Sequence, residues 1–219
     1  MKKLVLSILF LLGFSTTAYA TGSAGFTISM ADVKSGVSDD IDSNGTTNTQ
    51  KNISNDVTFA SVFFEKAVND NLSVGVDFIP FEAEFESRST SQSSIKEKGS
   101  STTTGTNKGT ADVSRHLTFY VQPQKEVMDG VKVFGTLGLV TADVESQAKS
   151  VSSGNKNFDQ TLDGTKLGLG VKKDTGAGFI KLEYSQTDYD DISATTSNDT
   201  KVTADIDTNI LALSVGKSF

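Results

Sequence analysis

The chain of 219 residues has no cysteine, no tryptophan, one histidine and two prolines. The lack of cysteine excludes both a disulfide framework and a cysteine-linked lipid anchor. A single histidine, His116, excludes a zinc site built from several imidazoles. No apolar run reaches the roughly 20 residues that a membrane-spanning helix needs. Whatever stabilises the fold must therefore come from packing and from a closed backbone hydrogen-bond ladder.

Acidic residues outnumber basic ones, 27 to 20, and the formal net charge is −7. This balance excludes nucleic acid as a partner, because binding to phosphates needs a basic surface. The hydrophobic content of 36% is low for a soluble core of this length. It is typical of a protein that carries its apolar residues in one outward band and has polar side chains elsewhere.

The first twenty residues have the features of an export signal. Lys2 and Lys3 precede an apolar run over residues 4–14, and Ala18-Tyr19-Ala20 follows as a cleavage site. We therefore predict a signal peptide over residues 1–20, removed after Ala20. Residues 21–219 are predicted to form a single domain.

The end of the chain alternates large and small side chains. Leu211, Leu213 and Val215 are separated by small residues, and the chain ends on Phe219. A period of two predicts a β-strand with one bulky apolar face. The same alternation recurs upstream, and we predict eight strands at about residues 25–33, 56–66, 72–86, 112–122, 131–144, 162–172, 178–187 and 208–219.

Three short and four long connections separate these strands. Tight turns are predicted at residues 68–71, 123–130 and 173–176, where Asn, Asp, Gly or Pro is present. Polar segments rich in Ser, Thr, Asn and Asp are predicted to be long surface loops at 34–55, 88–110, 145–160 and 188–203. The facing of the second strand is ambiguous because Phe63 and Phe64 are adjacent.

The terminal Phe219, the alternation before it, the signal peptide and the strand count resemble the small eight-stranded bacterial outer-membrane barrels of the OmpA/OmpX type. The resemblance implies an all-β, eight-stranded, antiparallel, up-and-down transmembrane β-barrel in the bacterial outer membrane, with no further domain after Phe219. It implies that Leu211, Leu213, Val215 and Phe219 form an insertion signal. The implied partners are outer-membrane lipid, the barrel-insertion machinery and periplasmic chaperones, and no cofactor or metal is expected.

Charged side chains opposite the apolar sets are predicted to face the barrel interior. A one-residue bulge at Pro80 would turn the acidic residues that follow it inward. Charges in a narrow lumen must pair, so we predict a salt-bridged plug; a narrow ion or small-solute channel is the alternative. The predicted luminal residues are Asp77, Glu82, Glu84, His116, Tyr120, Lys132, Lys166, Lys181 and Glu183, with Arg115 as a further candidate.

Two other functions have weaker support. Ser114 and His116 are two residues apart, as in the barrel-shaped lipid A deacylases, but their order is reversed, so we predict that the chain is not an enzyme. A soluble lipocalin-like barrel needs an apolar interior. The strands with the clearest alternation place Lys166, Lys181 and Glu183 on the inner face instead. The sequence thus favours a non-enzymatic envelope protein with long polar surface loops.

Overall fold

The computed structural model describes residues 22–40, 45, 49–80, 83–96, 102–150, 154–195 and 201–219. The predicted signal peptide and its cleavage site lie outside this part of the chain. No helix within the described ranges could cross a bilayer. The described strands are β1 (Gly22–Asp40), β2 (Thr49–Asn69), β3 (Leu72–Ile79), β4 (Ala83–Lys96), β5 (Thr102–Met128), β6 (Val131–Ser150), β7 (Gly154–Asp174), β8 (Phe179–Tyr189), β9 (Ile192–Thr195) and β10 (Lys201–Ser218).

These elements fill eight positions around a closed antiparallel wall. Both β3 and β4 pair with β5, and both β8 and β9 pair with β10, so each of these two pairs continues one interrupted strand. The wall closes where β1 pairs with β10 from Ser23–Ser218 to Asp40–Lys201. At the base of this seam, Gly22 and Phe219 exchange backbone hydrogen bonds of 3.0 and 2.8 Å. The prediction of an eight-stranded up-and-down barrel is confirmed.

The outer face of the wall carries a band of exposed apolar side chains. Phe26 is 68% exposed and Leu169 is 73% exposed. Other exposed apolar residues on the outer face are Phe78, Val121, Leu137, Leu182 and Leu213. The adjacent aromatics of β2 face opposite ways, because Phe63 is 2% exposed and Phe64 is 57% exposed. An apolar surface that encircles a barrel requires hydrocarbon rather than water around it.

The prediction of four long loops is wrong, because most of those segments extend the strands. The β1–β2 ladder continues to Asp39–Thr49, and the β6–β7 ladder continues to Ser150–Gly154. Ser and Thr side chains bury little apolar surface, but they are compatible with an extended backbone. A continued ladder satisfies the hydrogen-bonding groups of that backbone. The sequence pattern showed only that these segments bury little apolar surface. Strands that project beyond the apolar band do not need to bury any.

The predicted turn at residues 123–130 is also much shorter than expected. Strand β5 continues to Met128, and only Asp129 and Gly130 form the turn, with Gly130 at φ 64°. Pro123 lies opposite Leu72, the first residue of β3. The next residue, Gln124, donates its N–H to Asn71 O beside β3, so the nitrogen of Pro123 faces β6, where no described rung includes it. The turn before β3 matches its prediction: Asn71 donates its backbone N–H to Asn69 Oδ1 at 2.9 Å.

Pro80 interrupts the wall. The β2–β3 ladder ends at Val62–Phe78, and within the described residues β4 pairs with β5 but not with β2. Between the rungs Ile79–His116 and Ala83–Val113, one extra residue lies on the proline side, as the predicted bulge requires. The expected facing of Glu82 and Glu84 lies outside the described side chains.

Candidate functional site

Two ion pairs lie in the lumen, in the half of the barrel that carries the short turns; one joins β8 to β2 and the other joins the neighbouring strands β7 and β8. Lys181 Nζ lies 2.6 Å from Glu65 Oε1, and Lys166 Nζ lies 2.7 Å from Glu183 Oε1. The Lys181–Glu65 pair is almost fully buried. A charge taken out of water is tolerated only when it is paired and its remaining hydrogen-bonding capacity is used.

Neutral side chains complete these pairs. Tyr120 donates its hydroxyl to Glu65 Oε1 at 3.1 Å, and Thr136 donates to Glu183 Oε2 at 3.0 Å. Gln122 in turn donates to Thr136 Oγ1 at 3.2 Å. The result is two polar clusters, here together called the plug. One cluster is Glu65, Tyr120 and Lys181. The other is Gln122, Thr136, Lys166 and Glu183.

Aromatic rings surround the ammonium of Lys181. Its Nζ lies 4.6 Å from the ring centroid of Phe63, 5.6 Å from that of Phe134 and 5.9 Å from that of Phe179. Desolvated cations gain from such ring faces in addition to their ion pair. The arrangement fixes Lys181 in place on all sides.

Each of these three rings, and the ring of Tyr120, covers a glycine on the neighbouring strand. The glycine and the aromatic residue are direct cross-strand partners, and a Cβ on the glycine would meet the ring. Small residues facing rings keep a narrow lumen filled without overpacking. The four pairs are Gly25–Phe63, Gly75–Tyr120, Gly170–Phe134 and Gly216–Phe179.

A cavity of about 50 Å³ lies next to the plug. Among its lining residues, Asp77 accepts a hydrogen bond of 2.9 Å from Ser61, and His116 Nε2 lies 2.9 Å from the Tyr189 hydroxyl. The other ring nitrogen of His116 is buried and has no hydrogen-bond partner among the residues that the structure describes. A polar cavity of this size holds a few water molecules, at roughly 10–15 Å³ each.

The interior of the other half is apolar, which corrects the prediction of a polar lumen. Ala31, Val33, Ile210 and Ala212 form a buried cluster, against which Val57, Phe59 and Ile206 pack; these seven residues are here called the upper apolar patch. On the opposite wall, Val140, Ala142, Val144 and Leu162 are also buried. The alternation of each strand identified two faces but did not show that the inner face changes character along its length.

The structure brings six of the predicted luminal residues to one cavity. They are Asp77, His116, Tyr120, Lys166, Lys181 and Glu183. Lys132 lies on the rung Glu126–Lys132 near the short turn and does not line the cavity. Arg115 is a correction: it is exposed, at φ 50° in a β5 bulge, and pairs with Asp143. The bulge turns it away from the lumen.

Sequence reasoning missed Glu65, Phe134 and Phe179. Glu65 follows the ambiguous pair of phenylalanines, and once Phe63 faces inward, the period of two places Glu65 inward as well. Phe134 stands between the outward residues Val133 and Gly135, so the same period could have identified it. No pattern within a single strand predicts the cross-strand register that brings these side chains to Lys181.

No group of three or more metal-ligating side chains is assembled in the part of the chain that the structure describes. The backbone of Ser114 pairs with Asp143, and the bulge at Arg115 separates it from His116. The one acid–base contact of His116 is with a tyrosine. Chemically, this site can hold charges, rings and a few waters in place.

No known family and no curated protein matches the chain. Its fold is similar to that of the outer membrane protein OprG from Pseudomonas aeruginosa, at 15% identity and a TM-score of 0.56, covering 91% of this chain and 96% of that one. It is also similar to the outer membrane protease OmpT from Escherichia coli, at 8% identity and a TM-score of 0.56, covering 93% and 99%. The closed wall, the encircling apolar band and these likenesses show that the chain has the fold of the small, eight-stranded outer-membrane β-barrels.

Proposed function

We propose that the protein is a non-enzymatic, non-conducting barrel that contributes to the cell envelope and presents its extended strands at the surface. The observation that carries the proposal is the plug, with two ion pairs bonded to neighbouring hydroxyls and an amide. An ion crossing the lumen would have to separate these pairs and displace three rings. At eight strands, side chains already fill the interior, so the plug leaves no continuous path.

We expect purified protein in planar bilayers to give no steady single-channel current. A variant that shortens two plug side chains and one ring beside them, Glu65→Ser and Lys181→Ser with Phe63→Ala, should conduct if it folds, because water then fills the lumen. Heat-modifiable gel mobility would establish that the variant is folded. The matched control shortens outward residues, Phe64→Ala with Leu182→Ser, and should stay closed. A steady current from the unaltered protein would favour the channel alternative.

We also propose that the last strand is recognised by the barrel-insertion machinery and by periplasmic chaperones. Leu211, Leu213, Val215 and Phe219 are all exposed on the outer face, in a form that a partner could bind before the barrel closes. The wall closes only when this strand pairs with β1, so recognition of β10 would precede closure.

We expect Phe219→Ser to slow assembly into membranes severalfold in cells and in vesicles that contain the insertion machinery. The measurement is the time course of the folded, heat-modifiable form. Phe64→Ser is the matched control, because it also removes an exposed phenylalanine from the outer face. Equal rates for the two variants would contradict the proposed signal, since a general loss of lipid contact would then explain both.

A further inference from the structure

Four lysines point outward at the border of the apolar band on the side of the short turns. They lie on every second strand position of the wall, on β2, β5, β7 and β10. Neighbouring strands are about 4.8 Å apart, so successive lysines are separated by roughly 10 Å across the strands. Lys125, Lys173 and Lys217 are exposed and Lys66 is half-buried. These four residues are here called the lysine girdle.

The register shows that each of these lysines shares the outer face with apolar neighbours. Directly opposite residues of an antiparallel ladder point to the same side. Lys66 lies opposite Val74, which in turn lies opposite the exposed Val121. Lys125 lies opposite the exposed Val133. The other two lysines lie on the rungs Lys173–Ile180 and Ala24–Lys217. Each lysine stem therefore lies beside an apolar wall, and its ammonium group can reach the polar layer of the membrane.

The position of one ammonium group shows the direction that these side chains take. Lys173 Nζ donates to the backbone oxygen of Asp129 at 2.9 Å, in the turn between β5 and β6. The side chain thus runs from the apolar band towards the turns. Two exposed acidic residues, Asp70 and Asp129, lie in the turns themselves, further from the band than the lysines. An anionic group is therefore favoured at the level of the lysines rather than at the level of the turns.

The opposite border of the apolar band is acidic. On β1 the first outward charged residue beyond the band is Asp32, and on β8 it is Asp188. Asp188 lies opposite Asp207 of β10, and both are exposed. Cations at this level are paired with acidic neighbours, in the pairs Lys34–Asp32 and Arg115–Asp143. The two borders of the band therefore differ in the sign of their charge.

We propose that the lysine girdle binds the phosphate groups of anionic phospholipids in the leaflet on the side of the short turns. Ammonium groups at a membrane surface attract anionic headgroups, and the neighbouring valines provide a wall for the acyl chains. The same headgroups are repelled at the other border by Asp188 and Asp207. Charge complementarity thus selects an anionic lipid at one end of the band only. The barrel holds a shell of such lipids around its base, independently of what its lumen does.

Spin-labelled lipids in phosphatidylcholine vesicles provide the first test. At low salt, the unaltered barrel should restrict spin-labelled phosphatidylglycerol severalfold more than spin-labelled phosphatidylcholine, because each lysine near the surface adds to the attraction. Lys125→Gln with Lys173→Gln should lose a large part of this preference, and so should Lys66→Gln with Lys217→Gln. Salt at about 1 M should abolish the preference, since the Debye length then falls to about 3 Å.

Lys132→Gln with Lys172→Gln is the matched control, because it removes two charges from the same end of the barrel but from the inner face. These two lysines lie opposite each other, and Lys172 Nζ lies 3.9 Å from the ring centroid of the buried Phe179. The preference for phosphatidylglycerol should remain. Heat-modifiable gel mobility establishes that each variant is folded. An equal loss in the inward and outward variants would overturn the proposal, and so would an unaltered barrel without any preference.

The absence of native tryptophan allows the bound lipid to be located. Val133→Trp lies on the rung of Lys125, and Met30→Trp lies at the acidic border, two residues from Asp32. Phosphatidylglycerol with brominated acyl chains should quench Val133→Trp more than brominated phosphatidylcholine does at the same mole fraction. Met30→Trp should show no such difference. An equal difference at both positions would contradict selection by the girdle. Neither experiment bears on the conductance of the plug, so the proposed function stands or falls separately.

Discussion

Lys181→Met is expected to destabilise the barrel by about 3–5 kcal/mol, because it leaves the carboxylate of Glu65 buried without its cation. The loss also removes the ammonium from the faces of Phe63, Phe134 and Phe179. The measurement is the free energy of unfolding by urea, in the vesicle or detergent system in which the unaltered barrel refolds reversibly.

The double variant Glu65→Gln with Lys181→Met is the matched control. It removes both charges and keeps side chains of similar volume, so the uncompensated carboxylate disappears. We expect it to recover most of the lost stability, since a buried ion pair and an uncharged replacement often differ little. If the double variant were as unstable as the single one, the rings and their packing, rather than the paired charges, would determine the stability of the plug.

Gly170→Leu is expected to prevent folding or to cost at least about 3 kcal/mol, because the lumen has no room for the added side chain. A Cβ at this position would overlap the ring of Phe134 and would lie 2.5 Å from the carbonyl oxygen of Leu182. The ring also lies 5.6 Å from the Lys181 ammonium, so a shift of the ring would disturb that contact as well. The yield of heat-modifiable barrel after refolding measures the effect.

Gly135→Leu is the control for this prediction. Gly135 lies on the outer face of β6, and the nearest atom to a Cβ there is 3.7 Å away, so a leucine would enter lipid. We expect folding close to that of the unaltered chain. A second variant, Gly170→Ala with Phe134→Leu, makes room on the partner strand and should fold better than Gly170→Leu. Equal failure of the leucine variants at Gly170 and Gly135 would show that glycine is needed for backbone reasons instead.

Both predictions concern one layer of the molecule, the ring of aromatic–glycine pairs around Lys181. This layer connects the two halves of the interior: charges and hydroxyls on the side of the short turns, and aliphatic side chains on the other. The four pairs join every strand of the wall to a neighbour at similar depth. A change in any one of them should therefore affect closure of the whole barrel rather than one hairpin.

The sequence by itself determined the number of strands, the outward face of most strands and the apolar environment that those faces need. Period-two alternation is a local property, and Leu167–Leu169 or Leu211–Leu213 shows it without reference to any other strand. Wherever the alternation was clear, it also predicted which side chains face outward. It failed at Phe63–Phe64, where two aromatics are adjacent, and at Arg115, where a bulge shifts the period by one.

Only the tertiary structure decided where each described strand ends and which inward side chains meet. Polar segments such as residues 145–150 extend as strands because a paired neighbour continues beside them, and pairing is not encoded in either segment alone. Glu65 meets Lys181 across 116 positions of sequence through register and closure.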